Sequence, residues 1–203
     1  MQVVQVTTQE RADLGKKATK ALRKSGHIPA VVYSKNGVTH FSTTHKAVKK
    51  MVFTPDLKVA ELELAGGTKR ALIKDINFHP VTEEIMHIDF IELIPNHPVK
   101  ADVPVKFKGV SPGVKAGGKL ISGLRTVKVK ATPEVLVDEL FVDISSLQLS
   151  EAIRVKDIEV PEGLIIDVEP ATPIAVVEVP RALKSADAGD SAATEGEEGE
   201  ATE

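Results

Sequence analysis

The sequence predicts a mostly β protein with two β-rich domains and an acidic tail. Apolar and polar residues alternate with a period of two in most segments, which is typical of half-buried strands. The run Pro95-Asn96-His97-Pro98 interrupts this pattern and is the best domain boundary. From Ser185 onward the chain carries seven acids and little that could be buried, so we expect a disordered tail. The predicted divisions are residues 1–95, 96–184 and 185–203.

Residues 1–95 are predicted to form a small, mostly antiparallel β domain with two helical stretches. The first helix should run from about Leu14 to Lys24, because its apolar residues recur at helical spacing and Gly26 and Pro29 follow it. A second, lysine-rich helix is expected near His45–Val52. The strands, rich in Val, Ile and Leu, are expected at Val31–Ser34, Val59–Leu64, Ala71–Asn77 and Ile85–Leu93.

The second domain carries the same strand pattern. Apolar residues alternate with lysines in segments 103–108 and 127–130, and Phe141–Ile144 and Ile174–Val179 continue the signal. We expect Ser150–Val155 to form a single short helix. Because the domain has no net charge, its lysines are interpreted as solvated strand faces.

The charges of the chain are sorted along its length. The first fifty residues hold ten basic and two acidic side chains, whereas the whole chain has a net charge of −3. Six cations fall within Arg11–Lys24, against the single acid Asp13. Such sorting is typical of a protein with a polyanionic partner, and a solvated helix face is the simpler alternative for a basic helix considered alone.

Composition narrows the remaining classes of function. The chain has no cysteine, which excludes disulfides, thiol catalysis and cysteine-bound zinc. No apolar run is long enough to span a bilayer and no secretory signal is visible, so we expect a cytoplasmic protein without a membrane partner.

Two patterns could suggest an enzyme, and both are weak. Residues 113–120 match a phosphate-binding P-loop as far as Lys119, but Leu120 stands where a Ser or Thr hydroxyl must hold magnesium. His79, His87 and Asp89 could suggest a metal site, yet no further ligand cluster accompanies them. We therefore expect no catalysis, no cofactor, no metal and no small-molecule substrate.

His87 and Asp89 point to another kind of chemistry. They lie two residues apart in a predicted strand and should project from one face, while Ile88 and Phe90 occupy the other. A carboxylate next to a basic segment is poorly placed for phosphate but can accept hydrogen bonds from the amino groups of bases. A local hydrogen bond between the two side chains is the simpler alternative.

Three ordered blocks within residues 1–95 carry a family resemblance. They are Arg11-x-x-x-Gly15-Lys16 with Lys20-x-Leu22-Arg23 and Gly26-x-x-Pro29-Ala30-Val31-Val32-Tyr33; Asp75-Ile76-Asn77-Phe78-His79-Pro80-Val81; and Met86-His87-Ile88-Asp89-Phe90. Together they resemble the bacterial large-subunit ribosomal proteins numbered twenty-five, which bind 5S rRNA. Residues 96–184 look like the extra domain of the long, Ctc-type members.

The resemblance implies a six-stranded β-barrel with helices that binds an internal loop of 5S rRNA through a widened minor groove. Phosphates would be contacted by Arg11, Lys16, Lys20 and Arg23, with Lys17 as a weaker addition. Tyr33, Asn77, His87 and Asp89 would lie at the RNA-facing sheet surface and select the shape and base edges of the loop. In this chain Lys20 replaces a common Arg, and Asn77 replaces a frequent Gln.

The expected function is thus that of a structural, rRNA-binding constituent of the large ribosomal subunit. The second domain could contact neighbouring ribosomal proteins. The alternative is a stress-linked interaction scaffold that associates with the ribosome through residues 96–184.

Overall fold

The computed structural model describes residues 1–35, 37–64 and 66–180. The chain divides into two compact units, and both are built mostly of strands, which confirms the predicted fold class. The predicted acidic tail lies outside the described residues. Among the described residues, the first unit comprises Met1–Pro104, Thr126–Leu140 and Val160–Asp167, and the second comprises Val105–Arg125, Phe141–Glu159 and residues 168–180.

The first unit opens with a seven-stranded sheet. Its strands follow the order β1-β5-β6-β7-β3-β4-β2; β1 pairs with β5 and β3 with β7 in parallel, and the other pairs are antiparallel. The elements are β1 (Gln2–Val6), β2 (Thr8–Glu10), α1 (Lys16–Lys24), β3 (His27–Ser34), β4 (Gly37–Thr44), α2 (His45–Val52), β5 (Lys58–Leu64), β6 (Gly67–Phe78) and β7 (Ile85–Glu92).

This sheet closes on itself. Only Thr7 separates β1 from β2, so the two edge strands are consecutive parts of one chain segment. That segment is bonded on both sides: Thr8 Oγ1 donates to the Glu63 carbonyl of β5, and Thr43 Oγ1 of β4 donates to the Thr7 carbonyl at 3.0 Å. Counted as one bent strand, β1 and β2 complete the six-stranded barrel that the resemblance implied.

The barrel interior is filled by aliphatic side chains around two aromatic rings. Phe41 of β4 and Phe90 of β7 are fully buried, and their ring centroids lie 5.7 Å apart. Helix α2 adds Val48 and Met51 to this core. The alternating inward residues of each strand supply the rest, which leaves the intervening residues on the outer face.

Beyond the barrel, the strands form two smaller sheets, with orders β11-β8-β10-β13 and β12-β14-β9. None of the described helices is long and apolar enough to cross a bilayer. The elements are β8 (Val99–Lys108), α3 (Pro112–Lys115), β9 (Lys119–Ser122), β10 (Thr126–Ala131), β11 (Leu140–Asp143), β12 (Ala152–Arg154), β13 (Ile165–Ile166) and β14 (Pro173–Glu178).

The prediction of a short helix at Ser150–Val155 is wrong. Ala152–Arg154 forms β12 and pairs with β14, and a single 3₁₀ turn, Val155–Asp157, follows it. Ile153 and Val155 are both buried whereas Arg154 is exposed, so the burial has a period of two. Pairing with β14 also satisfies the backbone hydrogen bonds, which a one-turn helix could not do.

The glycine-rich run at 113–120 is a packed turn rather than a nucleotide loop. It begins inside the four-residue helix α3 and then enters β9, so no long helix points its N-terminus at the turn. A Cβ added to Gly118 would lie 2.5 Å from Val177 Cγ1 and 2.6 Å from Leu149 Cδ2. Close packing inside the second unit therefore accounts for this glycine.

Candidate nucleic-acid interface

Helix α1 places cations at both of its ends. Gly15 precedes it with φ near +117°, which prevents an earlier start, so the helix begins at Lys16 rather than at the predicted Leu14. Gly26, with φ near +79°, follows its end. Lys16 and Lys17 occupy the first turn, which contains no acid, although the helix dipole favours negative charge there. The two lysines therefore do not stabilise the helix itself, but together with the helix dipole they would attract an external anion.

Helix α1 is held to the barrel by a few polar contacts. None of its residues is fully buried, and a groove of about 510 Å³ lies beside it. Arg11 Nη2 donates to the Asp13 carbonyl at 3.2 Å and to Thr19 Oγ1 at 3.3 Å. At the other end, Arg23 Nε donates to the Met86 carbonyl at 3.1 Å. The bond from Arg23 to Met86 brings the basic helix to the beginning of β7.

The five predicted phosphate-contacting residues therefore differ in their surroundings. Lys16, Lys17 and Lys20 are exposed and form no ion pair within the described part of the chain. Arg23 is exposed but anchored through Nε. Arg11 is half-buried, and its Nε is buried without a hydrogen-bond partner among the described residues.

Strands β3, β7 and β6 lie side by side and carry the other predicted residues on the outer face of the barrel. Ile88 and Phe90 point into the core, so His87 and Asp89 point outward. Asn77 of β6 pairs in register with His87, which places their side chains on the same outer face. Tyr33 of β3 lies one strand away, and it pairs with Ile91.

His87 and Asp89 contact each other. Nδ1 of His87 lies 2.9 Å from Oδ1 of Asp89, and the two side chains are 28% and 21% exposed. This is an ion-pair contact, and it covers Oδ1, which is buried. The Asp89 side chain as a whole is still 21% exposed, so the accessible part of its carboxylate can accept a hydrogen bond from a ligand while His87 holds Oδ1.

The structure adds Lys74 to this surface. Its Nζ lies 5.1 Å from the centroid of the Tyr33 ring, a cation–π contact that fixes the ring and places a further cation beside it. The pairing register of β6 with β7 shifts between Ile73 and Asp75. Because such a bulge breaks the period-two alternation, the sequence pattern could not assign Lys74 to a face. Only the observed register locates it.

The metal interpretation of His79, His87 and Asp89 has no support in the geometry. His79 lies in the turn between β6 and β7, where its Nδ1 accepts the backbone N–H groups of Val81 and Thr82 at 3.3 and 3.2 Å. Residues 1–35, 37–64 and 66–180 contain no group of three or more side chains that could hold a metal ion.

Comparisons with known proteins match both halves of the chain. The model of the Ribosomal L25p family matches residues 6–90, and that of the Ribosomal protein TL5, C-terminal domain, matches residues 98–181. Proteins named large ribosomal subunit protein bL25 are similar over nearly the whole length. The one from Porphyromonas gingivalis is 39% identical over 92% of this chain and 97% of its own, and the one from Phocaeicola vulgatus is 38% identical over the same shares. The one from Parabacteroides distasonis is 40% identical over 85% of this chain and 89% of its own.

Proposed function

The chain belongs to the ribosomal L25p family and is a ribosomal protein rather than an enzyme, and we propose that it binds 5S rRNA through α1 and the outer face of β3, β7 and β6. As a constituent of the large subunit it would act in the cytoplasm. The observation that supports the RNA-binding surface most directly is the partly exposed Asp89 carboxylate, which His87 holds on the outer face of β7 beside a cationic helix.

Affinity would come from α1. Lys16, Lys17 and Lys20 would neutralise phosphates without losing any internal ion pair. Arg23 would contact a phosphate while Nε keeps the helix at β7, and Arg11 would do so while Nη2 holds the start of the helix. Because the helix is lightly packed, contact with RNA phosphates would also stabilise it.

Selection would come from the strands. The exposed part of the Asp89 carboxylate would accept a hydrogen bond from an exocyclic amino group of a base, and the amide of Asn77 can both donate and accept. His87 lies against Asp89 and would hold that carboxylate in place. The Tyr33 ring would pack on the sugar or base surface next to Lys74. Such contacts depend on the width and shape of the groove, as recognition of an RNA internal loop requires.

The second domain is proposed to contact neighbouring ribosomal proteins. We place the boundary of this domain between residues 95 and 96. The match to the first family model ends at residue 90, and the match to the second begins at residue 98. If the chain were instead a scaffold that reaches the ribosome through residues 96–184, changes in α1 would leave its ribosome association unaltered.

The test compares two RNAs. Full-length protein is titrated by fluorescence anisotropy with 5S rRNA and with a scrambled RNA of the same length, at moderate salt. We expect at least about a thousandfold preference for 5S rRNA, the lower end of the range that separates specific from non-specific binding of nucleic acids. Equal affinity for both RNAs would overturn the proposal.

A further inference from the structure

Helix α2 carries a second cationic surface that the proposed 5S rRNA interface does not use. Val48 and Met51 enter the barrel core, whereas Lys46, Lys49 and Lys50 are exposed on the opposite side of the helix. None of these three lysines forms an ion pair in the part of the chain that the structure describes. The helix thus presents three free ammonium groups within two turns.

Helix stability does not explain these lysines. Lys46 lies in the first turn, where the helix dipole disfavours a cation and no acid compensates it. The C-terminal end already has a cation: Lys58 Nζ donates to the Lys50 carbonyl at 3.1 Å and to Thr54 Oγ1 at 2.8 Å. The side chains of Lys49 and Lys50 are therefore not required to stabilise that end.

A polar groove adjoins this helix. It has a volume of about 710 Å³ and lies between α2 and β1. Lys46 and Lys50 border it on one side, and the amides of Gln2 and Gln5 on the other. Glu61 is the single acid among its lining residues, so the groove keeps a cationic character. Amides next to ammonium groups match the alternating sugars and phosphates of a nucleic-acid strand.

An aromatic ring stands at the end of the same surface. Phe53 directly follows α2 and is 59% exposed, although the chain has only six phenylalanines and buries Phe41 and Phe90 completely. An exposed ring beside cations is the arrangement by which proteins stack the bases of a single strand. Duplex RNA would not offer such a base, because its bases are already stacked.

We propose that Lys46, Lys49, Lys50 and Phe53, with the groove along β1, form a second RNA-binding surface that holds a single-stranded segment of RNA. The lysines take the phosphates, and Phe53 stacks on a base. Helix α2 packs against β1 and β4, whereas the proposed 5S rRNA surface uses α1 with β3, β7 and β6. Because the two surfaces share no residue, the protein can hold two RNA segments at once. This inference goes beyond the proposed function and does not depend on it.

The experiment uses the full-length protein, alone and saturated with unlabelled 5S rRNA, and a fluorescein-labelled dodecamer of uridine at 0.1 M salt. We expect the dodecamer to bind in both states. Replacing Lys46, Lys49 and Lys50 with Ala should lower its affinity about a hundredfold at 0.1 M salt. Each single-strand phosphate contact adds about 0.7 to the slope of the logarithm of affinity against the logarithm of salt, so three contacts contribute about two decades of affinity between 1 M and 0.1 M salt. Phe53→Ala should lower it about tenfold, and Phe53→Tyr should restore it.

Controls separate this surface from general charge and from the 5S rRNA site. Replacing the exposed Lys115, Lys119 and Lys156 with Ala removes the same charge from the second unit and should change dodecamer binding less than twofold. The α2 variants should keep the parental affinity for 5S rRNA, and circular dichroism should show the parental melting curve. Failure to bind 5S rRNA with normal dodecamer binding would reject only the proposed function. Loss of dodecamer binding on saturation with 5S rRNA, or equal dodecamer binding by the parent and the α2 variants, would overturn the second surface.

Discussion

Replacing Lys20 with Ala tests the phosphate-binding role of α1 with little structural disturbance. Lys20 lies in the middle of the helix and is exposed. Alanine is the strongest helix former, so the substitution should not destabilise α1. Any change in RNA affinity then reports the lost charge.

The magnitude follows from the number of cations in the proposed interface. Four of them, Lys16, Lys17, Lys20 and Arg23, are exposed, and Arg11 is half-buried. With a slope of about 0.9 per neutralised phosphate, the logarithm of the affinity for 5S rRNA should fall with the logarithm of salt with a slope of about −3.6 to −4.5. Removal of Lys20 should reduce the slope by about 0.9. Between 50 and 200 mM salt, the parent and the variant should then diverge by a factor of about 3.5.

Filter binding at four or more salt concentrations measures both slopes. Lys119→Ala is the matched control, because Lys119 is an exposed lysine of the second unit and its loss changes the net charge equally. We expect the parental slope for this control. If Lys20→Ala also keeps the parental slope, Lys20 contacts no phosphate and the role assigned to α1 is wrong.

Three further predictions concern other parts of the molecule. Asp89→Ala should reduce the preference for 5S rRNA over a scrambled RNA by about 2 kcal/mol, the value of a hydrogen bond to a charged group, and leave the salt slope unchanged in the same filter assay; an undiminished preference would reject its role in selection. Gly118→Ala should lower the stability of the second unit by about 1–3 kcal/mol in thermal melts, because the new Cβ would overlap Val177, and a parental melting temperature would contradict this packing. Hydrogen bonds from Ser145, first from its side chain and then from its backbone, lower the pKa of Asp143 in the folded state. The Asp143 contribution to stability is thus present above the unfolded pKa of about 3.9 and is lost as the pH falls through the lower folded value. Ser145→Ala should raise the pKa of Asp143 in an NMR titration, and an unchanged midpoint would refute the assignment.

Local patterns in the sequence determined much of the fold. Helix α2 spans the predicted residues His45–Val52, because its apolar side chains recur at helical spacing and the strand residues around it alternate. Strand β4 gave no such signal, since its buried positions include two consecutive polar residues, Ser42 and Thr43. These hydroxyl groups are buried because they donate to the carbonyls of Gln9 and Thr7, partners that are more than thirty residues away in the chain.

The candidate interface likewise has features that follow from the local sequence and features that arise only from long-range contacts. The sequence by itself determined that cations gather on α1 and that His87 and Asp89 share a face, because both depend only on local spacing and charge. Only the tertiary structure decided that Asn77 lies opposite His87, that Lys74 covers the Tyr33 ring, and that Asp89 Oδ1 is buried against His87. These facts depend on strand register, a bulge and burial, which arise when segments distant in the chain pair with one another, and no local periodicity encodes them.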